Sequence, residues 1–210
     1  KRIIRHLNQR SEMLSGISHD LRTPLTRIKL QLTFIKDKEI SNKLSEDVSE
    51  MEKMLNEYLQ FASKRSSETS EKFDISELIS NTINKYENKN IIFKADSKII
   101  FTGRKDLIRR CLNNFIDNSI KYGKKVIINL KKNKKNLKII IDDDGPGIEE
   151  KEYENVFKPF YKINKSRGDS KSSVGLGMSI ASDIIQSHGG NIILEKSDLN
   201  GLRINIFLPF

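Results

Sequence analysis

Ser18-His19-Asp20-Leu21-Arg22-Thr23-Pro24-Leu25 sets an imidazole, a carboxylate, a hydroxyl and a proline within two turns of one helix. Apolar residues recur around it at Leu14, Ile17, Leu21, Leu25, Ile28, Leu32 and Ile35, a helical stripe that has to be buried. At about 100° per residue, His19 stands about 160° around the helix from Leu21, facing water and any incoming partner. Pro24 lacks an N–H and its ring crowds the carbonyl of Asp20, which predicts a bend one turn beyond the histidine. A lone histidine is more often a solvated or structural side chain than a reactive one. Here the neighbours change that balance. Asp20 can accept a proton or hold the ring tautomer, leaving the other nitrogen free to attack an electrophile. Thr23 shares the His19 face and can position a water.

Outward from this helix, Ile40, Leu44, Val48, Met51, Leu55, Tyr58 and Ala62 repeat at intervals of three and four, predicting a second amphipathic helix from about 40 to 65. Only Lys36-Asp37-Lys38-Glu39 separates the two, so an antiparallel helical hairpin is expected. One hairpin has too little surface to bury both stripes, whereas two copies packed as a four-helix bundle bury them, so a homodimer is expected. Lys64 to Lys72 is devoid of apolar residues and reads as a linker. The resulting division is a dimerisation domain over 1–66, a linker over 67–73 and a second domain over 74–210.

No apolar run reaches the roughly 20 residues of a membrane-spanning helix, and no signal peptide opens the chain. The helical pattern of Ile3, Ile4 and Leu7 starts without an N-cap signal, which suggests a fragment of something longer. A single cysteine, Cys111, excludes an internal disulfide and fits a reducing compartment. The net charge of +10 points to an anionic partner. Its densest run, Lys131 to Asn136, lies between two strand-like stretches without interleaved aromatic residues, so it reads as a solvated hairpin turn and no direct nucleic-acid binding is expected.

Beyond the linker the pattern changes. Helices are expected from Ser76, as N-cap, to Tyr86, from Asp106 to Tyr122, and near 175–188. Strands are expected at 91–95 and 98–102 around an Asp96-Ser97 turn, at 126–131 and 137–142 as a hairpin, and at 191–195 and 202–208. Helices on one side of a mixed sheet make an α+β domain.

Asp143-Asp144-Gly145-Pro146-Gly147 follows the last hairpin strand, where glycines permit close approach and a carboxylate can accept a hydrogen bond from an amine. Alone this is an ordinary acidic turn. It is joined by Asn114, Asn118 and Lys121 on one helix face, suited to a metal and a triphosphate. Further on, Gly175-Leu176-Gly177 opens a helix whose free amides favour phosphate. Between these lie Phe157-Lys158-Pro159-Phe160-Tyr161 and a polar stretch in which Lys162 and Arg167 can reach phosphates.

The residues 18–25 resemble the H-box of sensor histidine kinases. The later elements resemble, in order, the N-box (114–122), first glycine box (143–147), F-box (157–160) and second glycine box (175–177) of the ATP-binding domain shared with chaperone ATPases and type II topoisomerases. The resemblance covers nearly the whole chain and is closest to osmosensor-type kinases. It implies a helical-hairpin domain dimerising into a four-helix bundle, followed by an α/β sandwich of the Bergerat kind, a mixed β-sheet covered by helices on one face. It implies ATP and Mg2+ as cofactors, with Asp143 on the adenine amine and Asn118 on Mg2+. Asn114, Lys121, Tyr122 and Arg167 would line the nucleotide, with Gly145, Gly147, Lys162, Gly175, Leu176 and Gly177 completing the site. It also implies autophosphorylation of His19, transfer to an aspartate of a response regulator, and a phosphatase activity assisted by Thr23. On this resemblance the chain is the cytoplasmic portion of a protein anchored in the cell membrane through a part preceding Lys1. Ser173 stands where many relatives carry a further glycine. A dimerisation scaffold with a degenerate nucleotide domain, or an ATP-gated clamp, remain alternatives; the clamp leaves the His19 helix unexplained.

Overall fold

The computed structural model describes residues 21, 23–63, 68–86, 89–95, 97–133, 136–163 and 175–210, with backbone alone at 50, 53, 54 and 56–63. His19, Asp20, Arg167 and Ser173 lie outside the described residues. The chain divides into two compact units, the first ending at Glu68 and the second formed by Thr69–Asn164 and Gly175–Phe210.

In the first unit, residues 21 and 23–32 are helical (α1), and Lys38–Ser63 forms a second helix (α2). The connection runs over 33–37 rather than 36–39, because Asp37 caps α2: its carboxylate accepts from the amides of Glu39 (2.9 Å) and Ile40 (3.2 Å). The hydroxyl of Ser41 donates to the carbonyl of Leu32 at 2.8 Å, and Lys29 pairs with Glu52 at 2.5 Å. Leu32 and Val48 are buried, but Leu21, Ile28, Ile40, Leu44 and Met51 are each 40% or more exposed in the single chain. Half of the stripe residues whose side chains are described are thus left exposed by a single hairpin.

The second unit begins earlier than the sequence suggests. Glu71–Asp74 (β1), of which 71–73 fall in the expected linker, pairs antiparallel with Ile100–Gly103 (β3). Its one apolar residue, Phe73, is buried edge-on against Phe101, with ring centroids 5.9 Å apart. Asp74, not Ser76, caps the helix Ile75–Ile83 (α3), accepting from the Ser76 amide at 3.0 Å. Asn90–Ala95 (β2) does not form a hairpin with β3. It pairs in parallel with Lys125–Lys132 (β4), and the five-stranded sheet has the order β2-β4-β5-β7-β6, where β5 is Asn136–Asp143, β6 is Asn191–Lys196 and β7 is Leu202–Pro209. All other pairings in this sheet are antiparallel, so it is mixed as expected.

Alternation decides which face is covered. Ile128, Ile141 and Ile204 form one cross-strand row, and Leu130, Ile139 and Ile206 the next, all buried. Against these rows pack Lys105–Tyr122 (α4) and Gly177–Gln186 (α5), while α3 packs on α4, β1 and β2. Phe115 and Ile116 of α4 are wholly buried, and Cys111, also buried, lies 3.7 Å from the carbonyl of Ala181 in α5. The same alternation sends Asp143, at the end of β5, to the covered face.

Candidate nucleotide site

A carboxylate on the apolar side of a sheet is costly unless something holds it. Asp143 stands opposite Val126 in the register and is 5% exposed. Its Oδ1 accepts from the amides of Gly145 and Leu202, each at 3.0 Å. Burial pushes its carboxyl above the usual carboxylate range, and the two amides oppose that shift without cancelling it. Its neighbour has the reverse fate. Asp144 is exposed, and its Oδ1 accepts from the amides of Lys125 (2.8 Å) and Lys124 (2.6 Å), which hold its carboxyl below the usual range. Asp144 thus fastens the glycine turn to the start of β4, while Asp143 presents a buried acceptor whose second oxygen takes no main-chain bond.

The cost of that buried charge gives a test. Above its raised pKa, Asp143 is ionised in both states, and only the folded chain bears the desolvation. Asp143→Asn therefore raises the thermal midpoint at pH 7. The gain shrinks as pH falls through the raised pKa, because the wild-type carboxyl then takes up its proton in the folded state. Thermal unfolding across pH measures this, and a lower midpoint at pH 7 would contradict the assignment.

The sequence did not mark Gly201. A Cβ there would overlap the carbonyl and carboxylate oxygens of Asp143 and lie 2.6 Å from the Gly145 amide. The main chain of the β6–β7 turn presses directly on the Asp143 carboxylate, a contact spanning 59 residues through Leu202. An Asn200-Gly201 pair was a legible turn signal, but nothing local tied it to Asp143.

On α4, Asn114 and Asn118 are half-buried one turn apart, and Lys121 and Tyr122 are exposed at its end, the Lys121 ammonium 5.1 Å from the Tyr122 ring centroid. The Nδ2 of Asn114 is buried without a hydrogen-bond partner among the described residues. A Cβ on Gly177 would sit 3.5 Å from Asn114 Oδ1, so the first turn of α5 abuts this asparagine. The Tyr122 carbonyl would lie 3.1 Å from a Cβ on Gly145, which brings the end of α4 against the glycine turn. The structure thereby gathers Asn114, Tyr122, Asp143, Gly145 and Gly177 along the C-terminal half of α4. Gly147, at φ 68°, continues the turn, and Leu176 is buried, its carbonyl accepting from the Ser179 hydroxyl at 2.9 Å.

Asp117, beside Asn118, is engaged elsewhere: it accepts from the Tyr86 hydroxyl at 2.7 Å. Among the described residues no cluster of three acidic, histidine or cysteine side chains could hold a metal. Any divalent ion at Asn118 would therefore arrive with phosphate oxygens.

The polar stretch after the F-box leaves a closed base. Phe160, at φ 64°, donates its amide to the carbonyl of Gly175 at 2.9 Å. Gly175, at φ 78°, packs so closely that a Cβ would lie 2.9 Å from the Phe160 carbonyl carbon and the Tyr161 oxygen. Tyr161 is anchored by its hydroxyl on Glu152, which also accepts from Asn155 at 3.1 Å. Lys162 is exposed beside this base, and Thr23, in the other unit, is exposed on α1.

His188 shows what a committed histidine looks like. Its Nε2 accepts from the Arg104 amide at 3.1 Å and its Nδ1 lies 2.7 Å from the Ile184 carbonyl, which can only accept, so Nδ1 carries the proton. Neither nitrogen is available as a nucleophile.

Residues 103–210 match the family described as histidine kinase-, DNA gyrase B- and HSP90-like ATPase, and residues 9–67 match the His kinase A (phospho-acceptor) domain. The chain is 33% identical to the sensor histidine kinase GtrS of Pseudomonas aeruginosa over 100% of its own length and 44% of that protein. It is 28% identical to the sensor histidine kinase CpxA of Escherichia coli K12, over 98% of its length and 48% of the relative. It therefore spans about half the length of the curated relatives it matches. Among solved structures, the catalytic domain of the histidine kinase ThkA is similar with a TM-score of 0.60 at 25% identity, covering 67% of this chain and 97% of that one. Full-length ShkA in complex with AMPPNP shares the fold with a TM-score of 0.72 at 19% identity, covering 93% of this chain and 45% of that one.

Proposed function

The chain belongs to the histidine kinase-, DNA gyrase B- and HSP90-like ATPases, and from that membership we propose that it is the kinase core of a two-component sensor histidine kinase, transferring phosphate from ATP to His19 and then to an aspartate of a response regulator. The phospho-acceptor match over residues 9–67, which holds His19, carries this reading beyond nucleotide binding alone.

The second unit binds the substrate ATP. The second oxygen of Asp143 accepts from the adenine amine, and the buried Asn114 Nδ2 offers a donor to the triphosphate. The free amides at the start of α5 favour phosphate, as do Lys121 and Lys162. Mg2+ held by Asn118 and the phosphates would offset charge on the transferring group. At His19, the unprotonated ring nitrogen forms a bond to the γ-phosphorus while the bond to the β–γ bridging oxygen breaks. ADP leaves, and Asp20 holds or receives the proton of the other nitrogen. Thr23 would position the water that attacks a phosphorylated regulator. An osmosensor-type kinase on the cytoplasmic side of a membrane anchor is the subclass and location this reading carries, in keeping with a reduced, buried Cys111 and the site of ATP.

Homodimerisation follows from the exposed stripe. Leu44→Glu puts a charge into that face, and sedimentation should show a mostly monomeric protein where the wild type is dimeric. Equal sedimentation of the two would remove the dimer face.

The test of function is incubation with Mg·ATP followed by mapping of acid-labile, base-stable phosphate, expected at His19. Asn118→Ala should lose that label while remaining dimeric. Label elsewhere, or none on folded wild type, would refute the kinase.

A further inference from the structure

We infer that Arg203 is a positioning residue for adenine recognition, acting from the far face of the sheet through Gly201 and Leu202 on the Asp143 carboxylate. The role presupposes the nucleotide reading above.

Strand alternation puts Asp142 and Arg203 on the face opposite Asp143 and Leu202, and the two stand opposite each other in the β5–β7 register. The guanidinium bonds Asp142 through Nε at 2.7 Å and Nη2 at 3.2 Å. The same Nη2 reaches Asp198 at 2.6 Å. Asp198 belongs to the turn that carries Gly201, a turn closed by Ser197 N–H on the Gly201 carbonyl at 2.9 Å and by Leu199 N–H on the Ser197 hydroxyl at 3.1 Å. One side chain therefore ties together three pieces of main chain: the residue before Asp143, the turn pressing on Asp143, and the strand whose Leu202 amide holds Asp143 Oδ1.

Asp142 and Arg203 side chains are 7% and 24% exposed, so this pair is shielded from water and geometrically fixed, unlike a surface ion pair. Gly201 and Leu202 immediately precede Arg203 in the chain. A shift of the turn by a fraction of an ångström moves both contacts of the carboxylate at once, and recognition by a single buried acceptor is sensitive to such shifts.

Adenine presents an amine where guanine presents a carbonyl, so a displaced Asp143 loses the preference for ATP over GTP rather than phosphate binding in general. Titration calorimetry with ATP and GTP on the full chain separates the two. Arg203→Gln is expected to weaken ATP about tenfold and leave GTP unchanged, with Arg203→Lys intermediate because it keeps the charge but not the fork. Asp198→Ala removes only the turn-side arm at an exposed position and is expected to lower the ATP to GTP ratio two- to threefold, on the order of one lost surface-side contact. This variant decides the matter should Arg203→Gln fail to fold. An unchanged ratio in a folded variant, or equal losses for ATP and GTP, overturns the positioning role while leaving the kinase reading intact. A wild-type chain that binds neither nucleotide overturns both.

Discussion

Gly201→Ala is expected to abolish adenine-nucleotide binding, by about 100-fold or more, in a protein that still folds. The added methyl would overlap two oxygens of Asp143, one main-chain and one carboxylate, and cannot be absorbed by a flexible side-chain tip because β5 itself stands in the way. Either β5 and β7 part at this end, or the carboxylate swings out of the pocket and breaks its bonds to the Gly145 and Leu202 amides. Both outcomes remove the acceptor proposed for the adenine amine, and a site built around one buried hydrogen bond loses two to three orders of magnitude when that bond cannot form. The fold survives because the rows through Ile139, Ile141, Ile204 and Ile206 lie deeper in the sheet. Equilibrium nucleotide binding beside circular dichroism checks this, and wild-type affinity in the variant would mean that Asp143 is not the adenine acceptor.

The other large effect is at the proposed phosphoacceptor, His19. His19→Gln should leave no detectable acid-labile phosphate while ATP affinity stays at the wild-type value. Glutamine keeps the polarity and much of the reach of histidine. Its amide nitrogen, however, shares its lone pair with the carbonyl and cannot attack phosphorus, whereas the unprotonated nitrogen of an imidazole keeps its pair in the ring plane. No second imidazole among the described residues can substitute, since both nitrogens of His188 are held by Arg104 and Ile184. Residual label at the wild-type rate would place the acceptor elsewhere, and a parallel loss of ATP affinity would mean that the substitution disturbs the second unit instead.

The carboxylate at the end of β5 and the asparagines of α4 were legible because each is local. An acidic-glycine turn follows an alternating strand, and two asparagines stand four apart on an amphipathic helix. What escaped the sequence is what depends on residues distant along the chain. Gly201 looks like any turn glycine until β7 pairs with β5. Arg203 looks like an exposed strand residue until Asp142 is found opposite it. Strand β1 escaped for another reason: four residues with a single phenylalanine show no period, and only the edge of β3 gives Phe73 a place to bury. The error over β2 and β3 has the same origin, because a short turn between two apolar stretches suggests a hairpin, while the parallel pairing with β4 is set by partners more than thirty residues away. Asn114 and Gly177 converge in space, and the Asn114 amide, unpartnered among the described residues, is a signal that only coordinates supply.

The bond between Phe160 and Gly175 has an evolutionary corollary. Where two backbone positions are already fastened to each other, lengthening the chain between them costs only the slowly growing entropy of a larger ring. Insertions and deletions between those two positions should accumulate among descendants of this sequence without loss of fold. The same interval is the natural place to splice in a reporter peptide.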